Sequence, residues 1–327
     1  MLTGIGQGWD WGPALNTCGP WRPISLEVYE ARIADLSFET AVDKGLAFAD
    51  VDVTVEVEGS PDKIKIEISL AGEEVASKTV VVTGDSVKIP FHLKNPALWY
   101  PIRYGKQPLY DIKATILHND TAVDTVTKKT GLRRARLIQR PLDSEPGTTF
   151  FFEINNIPIF CGGSDWIPAD NFLPLVTPQK YHDWIALVAA GNQSMLRVWG
   201  GGIYEDAAFY SACDGAGILV WQDFMFGCGN YPTLPPLLTS IAAEAESNVR
   251  RLRHHPSIVI WAGNNEDYQF QESEHLTYDY ANKDPASWLK TDFPARYIVR
   301  PLLLTSTPLT LTTPDSTKRS SPTPAPS

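Results

Sequence analysis

The sequence predicts a multidomain β and α/β chain: an antiparallel β-sandwich of immunoglobulin-like type, then an α/β region built as part of a (β/α)8 barrel. Three observations predict it. Apolar and polar residues alternate with a period of two from about Ala49 to Leu117. Near Phe150 the pattern changes to short apolar runs separated by helical stretches. The chain of 327 residues also exceeds one ordinary domain.

The sandwich is read from four alternating runs. Val51, Val53, Val55 and Val57 alternate with Asp52, Thr54, Glu56 and Glu58. Ile64, Ile66, Ile68 and Leu70 repeat the pattern, as do Val87, Ile89, Phe91 and Leu93, then Tyr110, Ile112, Ala114 and Ile116. Turn signals such as "EGSPD" and "TGD" separate them, so these are half-buried strands joined at short intervals. Their polar faces carry ordinary mixed charge and suggest no chemistry.

After Phe150 the order is strand, helix, strand, helix: "IPIFCGGSDW", "YHDWIALVAAG", "SMLRVWGGG", "DAAFYSACDGAG", "ILVWQDF", a helix around "LLTSIAAEAESNVRRLRHH", and "IVIWAGNNE". That alternation implies a parallel sheet, and its closed form is a barrel whose chemistry sits at the C-terminal strand ends. The residues at those ends are Asp165 and Trp166, Arg197 and Trp199, Gln222 and Asp223, and Asn264, Asn265 and Glu266. They are expected to ring one mouth. A full barrel takes about 250 residues, whereas about 150 lie between Phe150 and a tail rich in Thr, Ser and Pro. The barrel is therefore expected to be incomplete by about half its strands. From Thr305 onward, 17 of 23 residues are Thr, Ser or Pro, a composition that builds no packed core, so this tail is expected to be disordered.

Indoles beside amides and carboxylates suit a sugar, because aromatic faces pack on pyranose C–H groups while amides and acids fork to hydroxyl pairs. Ten tryptophans are present; Trp9, Trp11, Trp166, Trp199, Trp221 and Trp261 fall near the mouth or in the Gly-rich opening, and Trp221 and Trp261 are equally well read as core. Glu266 is the sharpest candidate for acid–base work. It follows a buried strand and two amides, which would fix its rotamer beside a low-dielectric wall. Asp223 is weaker, since an Asp closing "VWQD" is as readily explained by bonds to neighbouring backbone.

Composition excludes other classes. A net charge of -10 and a pI near 5.1 leave no basic face for nucleic acid or an anionic membrane. No apolar stretch reaches membrane length and no basic-then-apolar leader is seen, so a cytoplasmic location is expected. Cys18, Cys161, Cys213 and Cys228 lie far apart and are expected to be reduced. The six histidines lack HExxH or other metal spacing, and "HHP" reads as a helix end. No metal or cofactor is expected. "GIGQG" has no preceding strand, "GGSDW" lacks the second Gly of a nucleophile elbow, and "WGGG" lacks a following Lys-Ser/Thr. The oligomeric state is not legible.

Together, "GWDWGP", "FCGGSDWIPADNFLP", "LRVWGGGIYED", "GILVWQDFMFGCGNYP" and "RLRHHPSIVIWAGNNE" resemble the β-mannosidases of glycoside hydrolase family 2, of the fungal B type, from about Gly6 to about Arg296. The resemblance implies a C-terminal remnant of a jelly-roll sugar-binding domain at 1–30, the sandwich at 31–140, the N-terminal part of a catalytic TIM barrel at 141–300, and the tail at 301–327. It implies retaining exo-hydrolysis of terminal β-mannose from β-mannoside oligosaccharides. Glu266 then corresponds to the general acid/base and Asn265 to the amide on the substrate 2-hydroxyl. Trp9 and Asp10 lie on a loop lent by the first domain, Trp199 is an aromatic wall, and Arg197 and Trp166 complete the substrate-binding set. Asp165 departs from the pattern, which more often shows Asn. After Arg296 the chain leaves the family pattern in a way that reads as a shifted frame or an unspliced intron, so a fragment truncated at both ends is expected. The nucleophile Glu belongs to a later strand; Glu272 and Glu274 follow Glu266 too closely to replace it. An inactive fragment is therefore expected, against the alternatives of a non-catalytic carbohydrate-binding or scaffold remnant and of another family 2 glycosidase.

Overall fold

The computed structural model describes residues 15, 19–279 and 281–298. The expected loop residues Trp9 and Asp10, most of the remnant at 1–30, Cys18 and the tail lie outside them.

The alternating runs become two antiparallel sheets. β1 (Arg32–Val42), β2 (Phe48–Glu58) and β5 (Ser86–Lys94) form one, while β3 (Lys63–Leu70), β4 (Glu73–Val81), β6 (Tyr110–His118) and β7 (Thr121–Thr130) form the other in the order β4-β3-β6-β7. Every second side chain of β2 and β3 is buried. Leu36, Val53 and Val55 from the first sheet share one core with Ile64, Ile66, Ile112 and Ile116 from the second. Three strands were not anticipated. Both β4 and β7 are sheet edges with mostly exposed side chains, so neither needs an apolar face. In β1 a register shift between Ile33 and Asp35 breaks the alternation.

A second correction concerns "IPIF", read as the start of the first parallel strand. Ile157–Ile159 is instead β10, paired antiparallel with β9 (Phe151–Ile154), which in turn pairs with β8 (Ala135–Ile138). Phe152, Ile154 and Ile159 of this small sheet close the base of the parallel sheet against Met195 and Leu219, with Trp99 between them.

The parallel sheet contains β11 (Gly163–Trp166), β12 (Met195–Val198), β13 (Leu219–Asp223) and β14 (Ile258–Ala262), adjacent in sequence order. The helices α1 (Pro178–Ala190), α2 (Ala207–Ala216) and α3 (Pro235–Leu252) form the crossovers. Thr177 caps α1 by accepting from the Lys180 N–H, and Asp206 caps α2 through the Ala208 N–H. Among the described residues β11 and β14 each have one neighbouring strand and so are the edges of the sheet. Short helices α4 (Asp267–Ser273) and α5 (Pro285–Trp288) follow β14. No helix among the described residues is long and apolar enough to cross a membrane.

The sandwich and the parallel sheet are stitched together by polar contacts. The Trp99 indole N–H donates to the Asp214 carbonyl at 2.8 Å. The half-buried Arg133 guanidinium donates to the carbonyls of Pro256 and Ile258, just before and within β14. At Gly217 the chain leaves α2 with φ +74, and an added Cβ would sit 2.5 Å from the Ile102 nitrogen, so both conformation and space require glycine.

Candidate active site

Lateral pairing places Asp165, Arg197 and Trp221 at one level of the parallel sheet, and Asp223 lies two residues beyond Trp221 on the same face. Alternate residues of a strand point to opposite faces, so one-residue steps decide what reaches the mouth. Trp166 illustrates this. It packs beside Phe209 and Tyr181 in the helix-facing core, and its indole N–H donates to Glu205 at 2.9 Å. The structure thus brings Asp165 to the mouth and turns Trp166 away. Gln222 behaves likewise: it is buried and accepts from the Tyr210 hydroxyl at 2.6 Å.

Arg197 organises the mouth. Its Nε and Nη2 donate to Asp223 at 3.3 and 2.7 Å, its Nη1 reaches Asp165 at 3.3 Å, and Nη2 also donates to Asn265 Oδ1 at 2.7 Å. Burial opposes the Arg197 charge, but Asp223 and Asp165 outweigh it and hold its pKa above the ordinary value. Asp223 is fully buried; its carboxylate also accepts from the Trp221 indole at 2.9 Å and the Gly200 N–H at 3.1 Å. Burial nevertheless pushes its pKa up to about 6 against those donors. The expectation that Asp223 bonds neighbouring backbone holds in part: Gly200 is a backbone donor, but the guanidinium is the stronger partner.

Asn265 and Glu266 are held by the loop after β13. The Asn265 backbone N–H donates to the Phe226 carbonyl at 2.9 Å, and its side-chain Nδ2 donates to the Gly227 carbonyl at 2.7 Å. The same Gly227 carbonyl accepts the Glu266 N–H at 3.2 Å. Glu266 occupies the position before α4, with its side chain exposed to solvent. Sequence reasoning passed over its neighbour. Asp267 is fully buried, accepts from the Gly229 N–H at 3.2 Å through Oδ1, and has no partner at Oδ2 among the described residues. Burial raises its pKa to about 7. Its only sequence signal was adjacency to Glu266.

Trp199 is 3% exposed and lies directly over Gly201, where a Cβ would fall 1.8 Å from the indole ring; this is the local reason for Gly201. Trp221 and Trp261 are half-buried. A cleft of about 730 Å³ lies elsewhere: it runs between β1, β2 and β14 and is lined by Phe38, Val42, Arg133, His254 and Trp261. The candidate site is identified by geometry at the strand ends, where Arg197 joins Asp165, Asp223 and Asn265 beside Glu266, rather than by cavity size. Among the described residues no cluster of potential metal ligands occurs, and Cys161, Cys213 and Cys228 are free thiols.

The mouth thus gathers an acid, an amide and a fixed guanidinium at the parallel strand ends of an α/β scaffold. Residues 31–133 match the family described as glycosyl hydrolases family 2. The chain is 65% identical over 298 residues to a β-mannosidase B of Thermothelomyces thermophilus. It is 53% identical over 300 residues to a β-mannosidase B of Emericella nidulans. Both alignments cover 90% of this chain and 35% of the relative, so the chain spans about a third of the length of the curated relatives it matches. A solved β-D-mannosidase of Dictyoglomus thermophilum superposes with a TM-score of 0.78 at 33% identity, over 93% of this chain and 37% of that one. The resemblance read from the motifs is thus to the family these comparisons find.

Proposed function

We propose that this chain carries the acid/base half of a retaining β-mannosidase. The observation that carries the proposal is the placement of Glu266 beyond a parallel strand, next to an Asn265 amide fixed by Arg197 and Gly227. In this reading residues 31–140 form an immunoglobulin-like sandwich and 141–300 the first part of a TIM barrel, preceded by the end of a jelly roll. Glu266 protonates the glycosidic oxygen as the bond to a terminal β-mannose breaks, then deprotonates the water that releases the sugar. Asn265 bonds the sugar's 2-hydroxyl, Trp199 forms an aromatic wall, and Trp9 and Asp10 close the pocket from the opening loop. Trp166 acts from behind, through packing.

A retaining reaction needs a second carboxylate about 5 Å from the first. Among the described residues, Asp165 and Asp223 of this mouth are both bound by Arg197, which leaves neither well suited to attack an anomeric carbon. The 327-residue chain by itself is therefore proposed to release no mannose. Two incubations test the reading. The chain alone should leave aryl β-mannoside intact. A chimera in which residues 31–279 replace the matching span of a full-length β-mannosidase should hydrolyse aryl β-mannoside in preference to β-galactoside and β-glucuronide. A folded chimera that binds mannosides without turnover would favour a carbohydrate-binding role, and preference for another glycoside would favour another family 2 activity.

A further inference from the structure

Arg197 was expected to touch substrate, yet most of its donors are already spent within the protein. Nε and both hydrogens of Nη2 are taken by Asp223 and Asn265, and Nη1 reaches both oxygens of Asp165 at 3.3 and 3.4 Å. Asp223 in turn receives its donors from Arg197, Trp221 and Gly200, and its side chain is shielded from solvent. Neither group is free to act on a sugar directly. Arg197 reaches Asn265 directly, and Asp223 acts on it only by holding Arg197.

The amide of Asn265 lies between one donor and one acceptor. Its Oδ1 accepts from Arg197 Nη2 at 2.7 Å, and its Nδ2 donates to the Gly227 carbonyl at 2.7 Å. Turning the amide over would set its NH2 against the guanidinium and its oxygen against the carbonyl, two repulsive contacts in place of two bonds, one of them charge-assisted. The fork geometry of the guanidinium, locked by two carboxylates, thus determines which way round the amide sits. The Gly227 carbonyl also receives the Glu266 N–H at 3.2 Å, so amide orientation and acid placement share one anchor.

We propose that Arg197 and Asp223 are a positioning pair for Asn265, holding its amide so that the remaining Nδ2–H is presented to an incoming sugar hydroxyl. This rests on the sugar-binding reading above, and it assigns Arg197 a role through Asn265 in place of direct contact. A structural ion pair alone would leave the amide indifferent to the pair.

The test uses the full 15N-labelled chain, with the Asn265 side-chain amide assigned by its disappearance in Asn265→Asp. In the wild type one Nδ2 proton should exchange with solvent slowly and resonate apart from the other. Asp223→Asn and Arg197→Lys, each checked for folding by near-UV circular dichroism, should speed that exchange by about tenfold or more, the scale of one lost hydrogen bond. Saturation-transfer NMR with D-mannose and its 2-deoxy analogue supplies the second readout. The wild type should favour mannose by about tenfold, and both variants should bind the two sugars alike. Unchanged amide exchange in folded variants overturns the positioning pair whether or not sugar binds. A wild type that binds neither sugar overturns the sugar-binding reading, while the amide exchange still decides the pair. Arg197→Lys serves if Asp223→Asn does not fold.

Discussion

The sandwich and the parallel sheet answer the same physical demand in opposite ways. In the sandwich, both sheets turn apolar faces inward, and Val53, Val55, Ile64 and Ile66 are fully buried. Along β14, by contrast, only Ile258 is buried and the next four residues are half-exposed. The sandwich puts its apolar side chains into one shared core. The parallel sheet concentrates carboxylates, amides and a guanidinium at its strand ends, where they are held by bonds rather than by packing. A closed core gives stability; an arrangement of buried charge and fixed amides gives a place for chemistry, at a cost in desolvation.

The sharpest way to break that comparison is to remove equal volumes from each region. Ile66→Ala should lower stability by about 4 kcal/mol, as expected for truncating a fully buried isoleucine by three carbons, whereas Ile260→Ala in β14 should lower it by about 1 kcal/mol. Urea midpoints at constant m-value measure both. Equal losses would mean that β14 is as tightly packed as β3.

The junction should give the next largest effect. Burial lowers the Arg133 pKa to about 10, yet the group stays charged at neutral pH and supplies donors to two carbonyls at β14. Arg133→Met leaves both without that partner and should cost about 3 kcal/mol. The loss should fall on the parallel sheet, seen as an earlier melting of the tryptophan near-UV signal than of the far-UV β signal. A single transition shifted as a whole would show that the two regions unfold together.

A smaller effect is expected at Asp267, and its sign follows from linkage. Its folded pKa, near 7, lies above the ordinary carboxyl value, so the fold favours the protonated form. That contribution is complete below the unfolded pKa near 4 and is lost as pH rises through about 7. Asp267→Asn should remove the pH-dependent loss between those limits. Urea midpoints across pH 4 to 8 check it, with a slope unchanged in the variant as the contrary result. The smallest effect belongs to the exposed edge: Val75→Thr on β4, at 46% exposure, should change stability by under about 0.5 kcal/mol.

Period alone revealed β2, β3, β5 and β6, because each has one buried face, and the crossovers of the parallel sheet, because helices and short apolar runs alternate. It missed β4 and β7, whose edge positions require no apolar face. It took "IPIF" for a parallel strand because four apolar residues look alike whether they pair with β9 or β12. At the mouth, Glu266, Asn265, Arg197 and Asp223 were found from position at strand ends, and in the structure Arg197 bonds both Asn265 and Asp223. Trp166 was grouped with Asp165 since sequence adjacency hides which face each side chain takes. Asp267 was missed because its burial is made by the loop at Gly229, a tertiary fact with no local signature.

The central claim is that Glu266 is the proton donor of a glycosidase, and the leaving-group dependence of Glu266→Gln in the chimera tests it most directly. An acid catalyst matters most when the departing alcohol is a poor leaving group. The account predicts a fall of about 100-fold or more on an alkyl or unactivated aryl β-mannoside and a much smaller fall on a dinitrophenyl β-mannoside, which needs little protonation. Equal falls on both substrates would contradict it and would assign Glu266 a structural part in the mouth instead.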